Sequence, residues 1–191
     1  MLYNAITELE AVNSLLRFIG EQPVNALDSQ VFSALVAQNC IQEISREVQS
    51  FGWWFNSEDN YELAVDSEGF INIPPNALKS DPSTVTNNYV QRGLKLYNKI
   101  DHTFTFSENV LVDIVFFLPF SDLPQTARTY IMKKALKQFQ MAVLGSELLY
   151  QVSAAEVEEA YISLRAEDIE NEDSNVFNDS FHVYDFMKRT V

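Results

Sequence analysis

The sequence is short of the residues on which most metal centres, nucleotide sites and DNA grips are built. A single cysteine, Cys40, stands among 191 residues. No disulfide can therefore close within the chain, and nothing argues for an oxidising compartment. The two histidines, His102 and His182, are isolated. Neither has a second His or Cys at ligand spacing, so no metal site is expected. Five glycines leave no phosphate-cradling glycine motif, and no cofactor is expected. Lys and Arg number 13 against 27 Asp and Glu, a formal charge of −14. Wrapping DNA by neutralising phosphates needs clustered cations, and that mechanism is excluded. No run is long and apolar enough to span a membrane. The nearest, VLVDIVFFLPF (110–120), carries Asp113 and Pro119 and reads as a buried strand. The opening MLYNAITELE lacks the basic segment and apolar stretch of a secretory signal.

Apolar material is plentiful. Hydrophobic residues make up 47% of the chain and aromatics 13%. That suffices for one domain or for two closely packed halves. A first helix is expected from Thr7, where TELE fits the capping box. Ile6, Leu9, Val12, Leu16 and Ile19 recur every three or four residues, and Gly20 and Pro23 stop the pattern. A second helix is expected from Asp28, with Leu27 and Phe32 at hydrophobic-staple positions. Ala34, Ala37, Ile41, Ile44, Val48 and Phe51 then form a heptad seam suited to a helix bundle, ending at Gly52.

The period changes in the middle. YELAV (61–65), GFINIPP (69–75), LKLY (94–97), HTFTF (102–106) and VLVDIVFF (110–117) read as strands of an antiparallel sheet. ALKSDPSTVTNN (77–88) reads as a long exposed loop. Helical spacing returns at 121–145, where Ala127, Ile131, Ala135, Phe139 and Ala142 form a stripe and Arg128, Lys133, Lys134 and Lys137 make the helix basic. A fourth, acidic helix covers 146–171, and SAAE (153–156) is a second place where it can start. The tail from 172, with Phe177, Phe181, Tyr184 and Phe186, reads as an extended arm. The expected fold is α+β. Helix pairs at 1–52 and 121–171 form a four-helix bundle, with an antiparallel β domain inserted at 53–120 and the arm at 172–191.

The densest signal is VQSFGWWFN (48–56), where a helix stops at glycine and both tryptophans follow. Trp53, Trp54 and Phe55 are expected to pack into the junction between bundle and sheet. Stacking on a base or sugar is the alternative, and the lack of nearby cations weighs against it. Glu156 with Glu159, or Glu58 with Asp59, are formal candidates for the carboxylate pair of a glycan hydrolase. In a chain this acidic such pairs arise by chance, and a solvated acidic face is the plainer reading.

Several segments, in order, resemble the tail tubular protein A family, the head-to-tail adaptors of T7-like short-tailed bacteriophages. They are ELEAVNSLLRFIGEQPVNAL (8–27), EVQSFGWWFN (47–56), LPQTARTYIMKKALKQFQ (123–140) and GSELLYQVSAAEVEEAYISLRAED (145–168). The resemblance implies a structural virion protein of the tail, assembled in the host cytoplasm, rather than an enzyme. It implies a twelve-fold ring between portal protein and tail nozzle protein that helps anchor the tail fibre protein. DNA would pass through its channel without specific binding, and no membrane would be involved. The arm residues Phe177, Phe181, Tyr184 and Phe186 would dock on a neighbour or on the portal. Family members are sometimes described as glycan hydrolases, but no acid pair here can be assigned that role.

Overall fold

The computed structural model describes residues 5–83, 88–143 and 147–179, with side chains described for 5–83, 88–140 and 154–171. Helices lie towards both ends: α1 (Glu8–Phe18), α2 (Phe32–Gln49), α3 (Gln125–Val143) and α4 (Glu147–Asp179). Between them run β1 (Ser57–Leu63), β2 (Ala77–Pro82), β3 (Tyr89–Arg92), β4 (Lys95–Asn98), β5 (Val110–Phe116) and a short 3-10 helix, Phe120–Asp122. All strand pairing is antiparallel. The class is α+β, as expected. Among the described residues no helix is long and apolar enough to cross a membrane. Two compact units divide the chain, Met1–Ile41 with Pro124–Val191 and Gln42–Leu123. The dividing point falls inside α2.

In the first unit, α1 opens with the expected capping box. The Glu10 amide donates to Thr7 Oγ1 at 3.2 Å, and the Thr7 amide donates to Glu10 Oε2 at 2.8 Å. The Thr7 backbone N–H, and after it the Thr7 hydroxyl, hold the Glu10 carboxyl below its usual range. Ala11, Val12, Leu15 and Leu16 form the buried face of α1. Gly20 follows at φ +83, a conformation that glycine adopts without a Cβ penalty. α3 packs against α1 and α4 through Ala127, Ile131, Ala135 and Phe139, all buried. The Ile6 amide donates to Gln125 Oε1 at 2.8 Å, and Arg128 Nη1 donates to the Ile6 carbonyl at 2.9 Å. Cys40 is buried and its Sγ donates to the Ala135 carbonyl at 3.5 Å. Thr126 Oγ1 donates to Glu167 Oε2 at 2.6 Å, tying α3 to α4.

Three helical expectations change. α2 starts at Phe32 rather than near Asp28, which lies in a turn. The Ser29 hydroxyl accepts from the Val31 amide, and the helical ladder begins at Leu35 N–H to Val31 O. Phe32 is 80% exposed, so no staple forms. Ala34, Ala37, Ile41, Ile44 and Val48 are buried as the seam requires, but Phe51 lies beyond the last helical turn and is 60% exposed. α4 runs unbroken through the second capping box and on to Asp179. Residues 172–179, Phe177 among them, are helical rather than extended. Phe181, Tyr184 and Phe186 lie outside the described residues.

The second unit holds a three-stranded sheet in the order β1-β5-β2 and a separate β3–β4 hairpin. β5 alternates: Val110, Val112 and Ile114 point into the core while Leu111 and Asp113 face out. Leu63, Ile71, Ile73 and Leu96 complete that core, with Tyr61, Val65, Tyr89, Phe106 and Phe116 packed against it. β1 carries a bulge between Glu58 and Tyr61, where Asn60 takes φ +54 and donates its amide to Asp113 Oδ1. β2 corrects the expected loop at 77–88. Five of its six residues pair along β5, from Ala77 opposite Phe116 to Pro82 opposite Val112, with a register shift between Ala77 and Lys79. Conversely, the runs at 69–75 and 102–106 make only isolated bridges. Ile71 and Ile73 are nevertheless buried, because hydrophobic spacing reports burial and not ladder membership.

Candidate functional site

The corner after α2 is a buried polar joint. Gly52 turns the chain at φ +83, and a Cβ there would meet Val115 Cγ2 at 3.1 Å and Ser57 Oγ at 3.2 Å. The positive φ favours glycine, and the close approach of these two side chains leaves little room for a Cβ. Trp53 is 2% exposed, and its indole Nε1–H donates to the Val48 carbonyl at 2.7 Å. The Trp53 ring sits 4.8 Å from that of Phe51. The indole is a second donor to the Val48 carbonyl near the helix C-terminus, which also accepts from the Phe51 amide at 3.3 Å.

Asn56 does more of the joining. Its Oδ1 accepts from the Trp53 amide at 2.9 Å. Its Nδ2 donates to the Gln49 carbonyl at 3.0 Å and to the Phe116 carbonyl at 2.7 Å. The Phe116 amide returns a bond to the Asn56 carbonyl at 2.8 Å. Gln49, fully buried, completes the joint. Its Nε2 donates to Ser45 Oγ and to the Leu118 carbonyl, and its Oε1 accepts from the Leu118 amide at 2.7 Å. Arg46 lies over the Phe117 ring at 4.9 Å. The end of α2 is thus bonded to the end of β5 through two amide side chains, with a tryptophan beneath. All these bonds fall within the Gln42–Leu123 unit.

Of the three aromatic residues expected at the junction, Trp53 is buried. Trp54 and Phe55 are only half-buried and stack edge-to-face on each other at 5.0 Å. Gln49 and Asn56 went unnoticed in the sequence. Their only signal is position: an amide side chain in the last helical turn, and another three residues after the tryptophan that follows the glycine.

The nominated acid pairs find no catalytic setting. Glu156 and Glu159 are exposed on α4, and Glu58 and Asp59 are exposed on β1. Among the described residues no group of His, Cys, Asp or Glu could hold a metal ion. A polar cleft in the second unit is lined by Tyr89, Asn98, Asp101, Phe106, Glu108 and Asn109 among others. Its amides are already committed: Asn98 Nδ2 donates to Asp101 Oδ2, Asn109 Nδ2 to Glu62 Oε1, and Asn109 Oδ1 accepts from the Val65 amide. The site therefore offers rigid connection between elements rather than reactive groups.

A model of the tail tubular protein family matches residues 9–174. The chain belongs to the tail tubular protein family. Tail tubular protein A of Klebsiella phage KP34 is 30% identical to it over 151 residues, 79% of this chain and 81% of that protein. As a tail tubular protein, the chain is a structural component of a bacteriophage tail and not an enzyme.

Proposed function

We propose that this tail tubular protein is the subunit of a closed ring, twelve-fold in number, that joins the portal to the tail nozzle. The ring helps anchor the tail fibres, and DNA leaves through its channel without specific binding. Membership of the family across residues 9–174 carries the reading. The four segments whose resemblance implies a ring adaptor all fall within or overlap that match. The helix pairs at 1–52 and 121–171 close into a four-helix bundle around an inserted β region, 53–120. The packing of α3 on α1 and α4 and the Cys40–Ala135 contact support this. Trp53, Trp54 and Phe55, beside the amides of Asn56 and Gln49, serve as the junction between the helical and β regions. The terminal segment with Phe177, Phe181, Tyr184 and Phe186 docks on a neighbour or on the portal. Subunits assemble in the host cytoplasm before joining the virion.

Native mass spectrometry of the full chain, alone and with portal protein, tests the reading. Rings of twelve that bind portal are expected. A chain that stays monomeric or dimeric and ignores portal overturns it. The charge of −14 also motivates an acidic channel lining that keeps passing DNA from sticking. A map of the assembled ring showing a basic lining would sink that part.

A further inference from the structure

The geometry points to the exposed face of α4 as the surface on which the β3–β4 hairpin of a second copy of this chain docks; this rests on the ring reading above. α4 is apolar on two sides. Its inner side presents Ala160 and Leu164, both buried. On the opposite side Ile162 and Ile169, seven residues apart, are 60% and 48% exposed, with Ala155 and Ala166 on the same stripe and also exposed. A 3-4 spacing of this kind is the seam that one helix shows to a partner. Glu158 flanks the stripe on one side and Glu159 and Glu170 on the other, all exposed. Glu158 shares its edge with Arg165, seven residues on and with its side chain 40% exposed, whereas an isologous contact of two such faces would set Glu159 and Glu170 against their own copies.

The complementary surface lies on the same sequence. At the tip of the hairpin Gly93 takes φ +65 and Leu94 is 57% exposed. Arg92 and Lys95, paired across the strands, flank it. Each cation is held over an aromatic ring, Arg92 at 3.6 Å from the Tyr97 centroid and Lys95 Nζ at 3.5 Å from that of Phe70. Neither makes an ion pair among the described residues. An apolar knob between two fixed cations matches an apolar stripe with Glu158 on one side and Glu159 and Glu170 on the other. Because the two surfaces differ, the contact is head-to-tail, the kind that closes into a ring when its rotation allows.

The test uses the full chain with portal protein, read by native mass spectrometry, with circular dichroism as a check on folding. Leu94→Asp and Ile162→Asp alter only exposed positions, and each is expected to weaken assembly at least ~10-fold. Glu158→Lys with Glu159→Lys, or Arg92→Glu with Lys95→Glu, is expected to do the same, and all four changes together to restore rings. If wild type forms rings and the Asp variants assemble equally well, the contact is wrong and the ring reading stands. Loss in both charge sets without rescue in the combined variant overturns the pairing. A wild type that never forms rings overturns the ring reading and this contact together.

Discussion

Trp53 and Trp54 are neighbours with opposite circumstances, and their replacement should separate them. Trp53→Ala removes a buried ring and leaves the Val48 carbonyl without its indole donor. A loss of about 3–5 kcal/mol is expected, in the range of large-to-small core changes. Trp54 is half-buried, so Trp54→Ala should cost clearly less, about 1–2 kcal/mol by the apolar area removed. Urea unfolding of the two variants checks the order, and an equal loss would place the anchor elsewhere. Asn56→Ala takes away the acceptor of the Trp53 amide and a donor to the Phe116 carbonyl, while the Gln49 carbonyl keeps the Gly52 amide at 3.2 Å. At roughly 1–3 kcal/mol for a buried group left unsatisfied, it should rival Trp53→Ala despite removing far fewer atoms. The tryptophans announce themselves by rarity, whereas Asn56 does not. An asparagine in sequence is most often a turn or surface residue, and only its three backbone partners, one of them sixty residues away, reveal its use.

At the scale of elements, local chemistry was readable and long-range pairing was not. The capping box at Thr7–Glu10 and the stop at Gly20 stand in the sequence because both are contacts between near neighbours. β2 was invisible because Ala-Leu-Lys-Ser-Asp-Pro has no alternation and ends in proline. It is an edge strand whose ladder is supplied by β5, thirty residues on. α2 was started too early because Asp28 is a good cap in isolation, yet a turn at that point leaves Phe32 outside. The capping box gives a pH prediction. The folded Glu10 pKa is lowered from 4.5, so the stabilisation is present above that ordinary value and is lost as pH falls through the lower folded one. Glu10→Gln keeps an acceptor for the Thr7 amide but removes the titration. Its thermal stability should lie below that of the wild type at neutral pH and fall less steeply on acidification, the two curves converging in acid. A parallel acid profile would show that the cap does not contribute to it.

For the whole molecule, charge predicts what the protein leaves alone. With Lys and Arg outnumbered two to one, the isolated chain should give no gel shift with duplex DNA at 50–150 mM salt, where phosphate-binding proteins retain affinity. A shift that weakens with salt would contradict this. The strand order β1-β5-β2 has a temporal consequence. The middle strand is the last of the three to leave the ribosome, so β1 and β2 have nothing to pair with while they are being made. The first unit waits longer still, because its opening helices are completed by segments from Pro124 onward. Nascent chains truncated before Val110 should be digested rapidly by protease, and those in which β5 has emerged should yield a resistant fragment from the middle of the chain. Synthesis then closes this protein from its centre outward, and α1, translated ahead of the other described elements, is among the last to find its partners.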